Sequence, residues 1–422
     1  MSTVVGTLQN AWKATELRHK ILFTLLMFLV FRIGAHIPVP GINRQVIEDL
    51  LATGALFGFF DVISGGSFRN FSVFAMSITP YINASIIMQL LTVVVPRLEQ
   101  LAKEGAEGRK KITEYTRYFT IVLAFIQAIG LSYGLKGAVI NPTIWNYLLI
   151  AVTLTAGTAF LMWIGERITE KGIGNGISLI IFAGIVSALP SGLVTLYEYI
   201  QVGTANILGA TFFIIIAVIA IAGIVYINEG QRRIPVNYAK RVVGRRVYGG
   251  QSTHIPLKVN QAGVIPVIFA SSILAFPTTI AAFFPDSVLG AWFANYFNFG
   301  SFLHSLFYIF LIIFFTYFYT AITFNPVDVA DNMKKYGGFI PGLRPGKPTA
   351  DYITKVMSRI TLVGGMFLAV ISLMPVFVIM ATGISNIYFG GTALLIVVGV
   401  ALDTMKQIES NLLMRHYQGF MK

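Results

Sequence analysis

The chain has 422 residues, of which 55% are hydrophobic and only 12% are charged. A soluble domain does not carry so much apolar sequence, so this composition excludes a soluble globular protein and indicates an integral membrane protein. In a membrane protein, a net charge of +13 reflects basic loops rather than a nucleic-acid-binding domain. Cysteine is absent, which excludes disulfides, thiol chemistry and cysteine-ligated metal sites.

Ten apolar segments are long enough to cross a bilayer, which requires about 20 residues per helix. They are predicted at about residues 21–37, 71–95, 118–135, 145–164, 174–189, 207–227, 262–284, 302–324, 360–380 and 387–402. We therefore predict an all-α, polytopic membrane protein with ten transmembrane helices. The first segment follows basic residues, as the apolar region of a signal peptide does, but no small-residue cleavage pattern follows it, and we expect it to be retained.

Lysine and arginine are sorted between alternate loops. All but four of the 31 basic residues lie before segment one, after even-numbered segments or in the C-terminal tail; the exceptions are Arg32, Arg44, Arg69 and Lys136. Because basic loops stay on the cytoplasmic side of a membrane, this pattern predicts that both termini are cytoplasmic.

A short pattern occurs twice. Residues Pro80–Ile87 and Pro266–Ile273 share Pro-x-Ile-x-Ala-Ser-x-Ile, and the two copies fall in segments two and seven, the same position in each half. Halves of five segments cross the bilayer in opposite senses, so the pattern predicts an inverted repeat of residues 1–206 and 207–422 with a path at their interface. Each copy is expected to be a membrane helix broken near its start by its proline.

Residues 54–66 form an apolar segment that is bounded by glycine, is too short to span the bilayer and lies on the outer side. Such a segment is not stable in water, so we expect it to fold back into the protein. The alternative is a small helix that lies on the lipid surface.

Two cytoplasmic loops, at residues 228–258 and 325–355, are longer than a helical bundle needs and mix basic residues with tyrosine, proline and glycine. Basic loops commonly set topology and contact anionic lipid. The length and composition of these two favour docking of a partner, either RNA or an acidic protein surface.

Ionisable residues are nearly absent from the predicted spans. A secondary transporter keeps them at the middle of the membrane, so solute transport is the weaker alternative, although inverted repeats are common among transporters. No phosphate-binding, dinucleotide-binding, His-Glu-x-x-His or Gly-x-Ser-x-Gly motif occurs, which argues against an enzyme. We expect no cofactor and no bound metal, and the energy for any transport has to come from outside the chain.

The chain resembles the SecY family, the channel subunits of the protein-translocation complex, over essentially its whole length. The most specific stretches are Phe74–Leu91, Gly174–Ile185, Asn228–Arg241, Val259–Ile273, Asn325–Pro348 and Gly390–Thr404. One departure is Ser77, where many relatives are expected to have glycine. The resemblance implies an hourglass pore between the two halves of a multi-pass cytoplasmic-membrane protein. It also implies that separation of segments two and seven opens a lateral gate towards lipid.

The resemblance also implies site residues. The constriction ring of the pore would be Ile78, Ile82, Ile181, Ile185, Ile268 and Ile396. A plug in the outer funnel would be Leu56, Phe57, Gly58, Phe59, Phe60, Asp61, Val62, Ile63 and Ser64. The lateral gate would contain Thr79, Pro80, Asn83, Gln89, Asn260, Pro266, Ser271 and Ser272, with Gln89 and Asn260 in a polar cluster. Docking of the ribosome and of the motor SecA would use Arg245, Arg246 and Arg344.

The function implied by this resemblance is passage of unfolded secretory chains across the membrane. The expected partners are the small subunits SecE and SecG, the ATPase SecA, the ribosome, a preprotein with its signal sequence and the lipid bilayer. A ring of branched apolar side chains would exclude water and block ions, yet yield around a passing chain.

Overall fold

The computed structural model describes residues 6, 11–53, 61, 64–201, 207–238, 241–243, 246–248, 252–283, 287–297, 300–382 and 390–420, which are mostly helical. Ten helices correspond one for one to the predicted spans: α1 (Thr15–Gly34), α3 (Thr79–Val94), α5 (Ala106–Gly134), α6 (Ile144–Lys171), α7 (Gly176–Gln201), α8 (Ile207–Glu229), α9 (Ile265–Phe283), α11 (Phe302–Thr323), α13 (Lys347–Thr382) and α14 (Gly391–Phe420). Four shorter helices lie between them: α2 (Arg44–Thr53), α4 (Pro96–Lys103), α10 (Val288–Tyr296) and α12 (Pro326–Lys335). By length and apolar composition alone, seven described helices qualify as spans, or eight if α3 and α4 are one bent span.

Several helices are longer than their predicted spans. Helix α5 begins at Ala106 rather than near residue 118, α13 begins at Lys347 rather than near residue 360, and α14 continues to Phe420. The added turns contain many charged residues, which favour helix but not membrane. Hydropathy therefore finds only the apolar part of each helix. Residues 325–355 were predicted to be a loop, and this prediction was wrong in part, because they contain α12 and the first turns of α13.

The repeated prolines begin their helices and do not break them. Helix α3 starts at Thr79 with Ile78 as its N-cap, so Pro80 lies in the first turn, where a missing N–H group removes no hydrogen bond. Pro266 has the equivalent place in α9. The expected break near the start of each helix was therefore wrong. The sharp bend lies at the far end of α3, where the axis turns by 98° into α4.

Both long loops contribute strands, which correct the prediction of an all-α chain in these regions. Strand β1 (Gln231–Tyr238) pairs antiparallel with β4 (Ser252–Lys258), and β5 (Gly338–Phe339) from the second loop pairs with the other edge of β1. Strands β2 (Arg241–Val243) and β3 (Arg246–Tyr248) form a separate hairpin. One small core joins the sheet to α12 and α13: Ile234, Val236, Leu257, Met333, Ile340 and Ile353.

The principal apolar core runs through both predicted halves of the chain. From residues 1–206 it contains buried side chains of α1, α3, α6 and α7. From residues 207–422 it contains buried side chains of α8, α9, α11, α13 and α14. A second cluster packs α2 and the turns before α3 against α5 and α6. The principal core is where the predicted site residues meet.

Candidate functional site

The six predicted ring isoleucines belong to one apolar cluster. Ile268 is half-buried and packs against it, and the other five are buried members: Ile78, Ile82, Ile181, Ile185 and Ile396. They are supplied by four helices and by the residue that caps α3. Helix α3 packs against α9, and α7 packs against α14. The structure thus brings the predicted ring residues into a single apolar core.

Helices α3 and α9 are each preceded by a residue with a positive φ at the same distance from the repeated proline. Ser77 has a φ of 51° and Gly263 has a φ of 64°, and each lies three residues before the proline of its helix. Ile82 and Ile268 each follow five residues after that left-handed residue. The short sequence repeat is therefore accompanied by a positive φ at the same position in both copies, and the two isoleucines lie at equivalent positions of their helices.

Ser77→Gly is expected to stabilise the protein by about 1 kcal/mol. A left-handed conformation is unfavourable by about 1–2 kcal/mol for a residue with a Cβ, and glycine is free of this strain. The Ser77 hydroxyl is also buried and has no hydrogen-bond partner among the described residues, so nothing is lost with it. Thermal unfolding of the purified protein in detergent measures the change.

Gly263→Ser is the matched control, because it introduces in α9 the arrangement that α3 has naturally. A Cβ at Gly263 would meet no atom within 4 Å, so only the backbone strain changes. We expect a loss of about 1 kcal/mol. Equal stability of both variants and the unchanged protein would contradict the strain at Ser77.

A glycine-rich turn positions α7, which carries Ile181 and Ile185. The Thr24 hydroxyl of α1 accepts a hydrogen bond from the Ile173 amide at 3.2 Å, and the Thr169 hydroxyl of α6 accepts one from the Gly176 amide at 2.9 Å. A Cβ on Gly176 would overlap the Gly165 carbonyl oxygen. The first turn of α7 is therefore held directly against α6.

The predicted gate residues belong mostly to α3 and α9, two helices that contact each other. Three of them are buried, namely Pro80, Asn83 and Pro266, and three are half-buried, namely Thr79, Ser271 and Ser272. The Ser271 hydroxyl donates to the Ile268 carbonyl at 2.9 Å, within its own helix. The Ser271 hydroxyl is therefore hydrogen-bonded within α9.

The predicted polar cluster of Gln89 and Asn260 is not joined directly. Gln89 Nε2 donates to the Ser85 hydroxyl at 3.4 Å, and Asn260 Nδ2 donates to Asn228 Oδ1 at 2.8 Å. Gln89 Oε1 and Asn260 Oδ1 are buried and have no partner among the described residues. Asn228 lies in the last turn of α8, and no motif in the sequence points from it to Asn260.

Only two of the predicted plug residues are described, and Leu56–Phe60, Val62 and Ile63 lie outside the described residues. Asp61 Oδ1 accepts a hydrogen bond from the Arg69 amide at 2.7 Å, and the Ser64 hydroxyl donates to the Asp61 carbonyl at 3.1 Å. Burial raises the pKa of the Asp61 carboxyl above its ordinary value, against the smaller opposite effect of Arg69. These two residues are thus part of a hydrogen-bonded turn.

The residue after the predicted plug is fixed between α1 and α7. Arg32 Nη1 donates to the Gly65 carbonyl at 2.7 Å and to the Ser187 hydroxyl at 3.3 Å. Gly65 has a φ of 66°, and a Cβ there would lie 2.8 Å from Gly184 Cα. Arg32 was one of four basic residues outside the charge pattern, and that exception was the only sequence signal for this contact.

The predicted docking residues are described only in part. Arg344 is exposed in the turn between β5 and α13, where its carbonyl accepts a hydrogen bond from the Thr349 hydroxyl at 2.9 Å. Arg246 begins β3, and Arg245 lies outside the described residues. Pairing of β1 with β5 connects the two loops that carry these arginines.

Comparison with known proteins identifies the family. The SecY family profile matches residues 72–405. Protein translocase subunit SecY of Halalkalibacterium halodurans is 52% identical and that of Bacillus subtilis is 50% identical, each over 99% of both chains. A solved structure described as that of a protein conducting channel has a TM-score of 0.68 at 20% identity and covers 93% of this chain and 92% of that chain. The channel of a canine ribosome-channel complex from the endoplasmic reticulum has a TM-score of 0.64 at 19% identity, with the same coverage. These structures share the ten-helix fold, and since the profile covers most of the sequence and the relatives align along nearly all of it, this chain belongs to the SecY family.

Proposed function

We propose that this chain forms the protein-conducting channel of a cytoplasmic-membrane translocase. It passes unfolded secretory polypeptides across the membrane and releases their apolar segments sideways into lipid. The observation that carries this proposal is the collection of six isoleucines from distant parts of the sequence in one apolar cluster, in a chain of the SecY family. The chain is a channel subunit and not an enzyme.

The proposed pore lies between halves 1–206 and 207–422. Helices α3 and α7 of the first half and α9 and α14 of the second supply the ring. The matching starts of α3 and α9 support the internal repeat. At the ring, branched side chains exclude water and so block ions, but they move apart around a polypeptide because no covalent or ionic bond joins them.

The proposed lateral gate is the contact of α3 with α9. Its apolar and small side chains associate weakly, and the two buried amide oxygens of Gln89 and Asn260 are left without partners among the described residues. An unpaired buried acceptor disfavours the closed arrangement by about 1–3 kcal/mol. A hydrophobic signal sequence therefore has to supply only a small differential affinity to open it.

The proposed resting seal includes a plug at about residues 56–64, whose C-terminal side is held at Gly65. Support comes from the Arg32 hydrogen bond to Gly65 and from the close approach of Gly65 to α7, the helix that also carries Ile181 and Ile185. When the plug moves, its C-terminal end at Gly65 would therefore stay in place while the residues before it are displaced.

We propose that both termini and the β-sheet are cytoplasmic. The sorting of basic residues supports this orientation. The sheet side also contains ion pairs between neighbouring helices, Arg117 of α5 with Glu166 of α6 and Lys406 of α14 with Glu229 of α8. On this face, Arg245, Arg246 and Arg344 would bind SecA or the ribosome, while SecE and SecG would pack against the exposed apolar surface of the spans.

A crosslinking experiment tests the channel. The chain has no cysteine, so Ile82→Cys or Ile268→Cys creates a single thiol. A secretory precursor that carries one cysteine is stalled during SecA-driven translocation. If the ring surrounds the passing chain, we expect that an added thiol oxidant such as copper phenanthroline produces a disulfide between precursor and channel at both positions, detected as a product of increased mass after non-reducing electrophoresis.

Ile150→Cys is the matched control, because Ile150 is fully buried in the second apolar cluster, away from the ring. It is expected to give no crosslink. A stalled precursor that reaches neither Ile82→Cys nor Ile268→Cys, while solute uptake is normal, would favour a transporter and contradict the channel.

A further inference from the structure

Helix α10 lies on the face of the molecule opposite the β-sheet. It follows the end of α9 and precedes the start of α11, whereas the strands adjoin the other ends of these helices. The residues between these two spans were predicted to be a loop. A helix of this length measures about 14 Å, which is too short to cross a hydrocarbon core of about 30 Å. Helix α10 therefore has to lie at one boundary of the bilayer.

Helix α10 is apolar on two faces. Its inner face carries Phe293 and the adjoining Phe297, which is buried and whose ring lies 5.5 Å from that of Phe307 on α11. Its outer face carries Val288, Trp292 and Tyr296, spaced four residues apart and exposed by 88%, 46% and 54%. No charged residue occurs between positions 287 and 297. A helix that faced water would have a polar outer side.

The outer face of α10 continues into the lipid-facing surface of α11. Phe302, Leu306 and Phe310 are likewise exposed and spaced four residues apart, and they begin just beyond α10. Because α11 is a membrane span, this stripe faces acyl chains. Tryptophan and tyrosine concentrate at the level of lipid headgroups, where their rings have an apolar body and a polar group.

We propose that α10 is an interfacial anchor that inserts Val288, Trp292 and Tyr296 between the headgroups and acyl chains of the leaflet opposite the β-sheet. The aromatic contacts of Trp292 with Phe293, Tyr296 and Phe297, at ring separations of 5.3 to 5.8 Å, keep these side chains in one block. The occupant of this surface is the phospholipid interface. Since α10 carries no basic residue, its insertion does not depend on anionic lipid.

The anchor fixes one end of α9 in the bilayer. Helix α10 packs against α9 and follows it after residues 284–287. If α9 is a wall of the lateral gate, the anchor keeps that end of the wall at constant depth while α3 and α9 separate. This consequence rests on the proposed function, whereas the lipid contact itself does not.

Fluorescence quenching tests the anchor. The chain has four tryptophans, and Trp12→Phe, Trp145→Phe and Trp163→Phe leave Trp292 as the only one. The protein is reconstituted in phosphatidylcholine vesicles whose acyl chains carry bromine either near the carbonyl end or near the methyl end. We expect blue-shifted emission that loses more intensity to the shallow bromines than to the deep ones, and the same loss after anionic phosphatidylglycerol is added.

The control places the only tryptophan deeper on the same stripe, by Trp292→Phe together with Phe310→Trp. There the deep bromines are expected to quench more strongly. Red-shifted emission that aqueous iodide quenches would overturn the anchor, and so would blue-shifted emission that neither lipid quenches, because a second copy or another protein would then cover α10. If the triple variant does not fold, the emission of Trp292 is obtained by subtracting the emission of Trp292→Phe from that of the unchanged protein, and its quenching by shallow and deep bromines is compared in the same way. Translocation is not measured, so failure here leaves the channel proposal intact.

Discussion

Replacing Ile82, Ile185 and Ile268 together with serine is expected to make resting membranes leak ions. The three residues come from α3, α7 and α9 and belong to or pack against the principal apolar core. As isoleucines they keep water out of the proposed constriction, and an ion cannot pass without its hydration shell. Serine removes apolar volume and supplies a hydroxyl that holds water in the passage.

The size of the leak follows from the water that the hydroxyls stabilise. Each hydroxyl can hydrogen-bond water for about 1 kcal/mol, so three lower the barrier by about 3 kcal/mol. Since each 1.4 kcal/mol is a factor of ten, the conductance of the resting channel should rise about a hundredfold. Planar-bilayer recordings of the purified channel without precursor measure it. The glycine variants should leak as well, and each single serine variant less.

A control separates the leak from loss of packing. Ile47, Ile150 and Leu154 are fully buried in the second cluster, so their replacement by serine removes a similar apolar volume outside the ring. These variants should lower the unfolding temperature without raising conductance. Equal leaks from both sets, or no leak from the ring set in protein that remains folded, would remove the basis for the proposed seal.

The spans were predictable because the membrane imposes a simple requirement on sequence. Helix α8 has the highest mean hydropathy of the qualifying helices, and its predicted end near residue 227 differs little from Glu229. The ends of α5 and α13 were not predicted, because the hydropathy signal stops where charged residues begin while the helix continues. Proline position was also ambiguous, since Pro80 is compatible both with a broken helix and with the first turn of one.

The strands and the site required contacts between residues distant in sequence. Burial alternates at Ile234 and Val236, a signal of period two that is too short to separate from a turn-rich loop. The six ring residues are isoleucines among many in the spans, and burial by itself does not distinguish them from the rest of the core. Only the family motifs singled them out. Arg32 and Asn228 bond to partners that no local pattern indicates.

Gly157→Ala is expected to destabilise the protein by about 3 kcal/mol or more, near the upper end for an overpacked core. Gly157 lies in the middle of α6, where a Cβ would overlap the carbonyl oxygen of Val73. Val73 in turn is fixed by its amide, which donates to the Ile37 carbonyl at 2.9 Å after the end of α1. Backbone meets backbone here, so no side chain can rotate away to make room.

The effect of Gly157→Ala also extends to the proposed gate. Residues 73–78 lead directly into α3, so displacement of Val73 shifts the start of the helix that carries Ile82. Gly192→Ala in α7 is the matched control, because nothing lies within 4 Å of a Cβ there, and alanine should stabilise that helix by about 0.5–1 kcal/mol. Thermal unfolding in detergent compares the two. Similar unfolding temperatures for both variants would mean that α6 and the turn at Val73 separate easily, and the close approach would then not hold α3 in place.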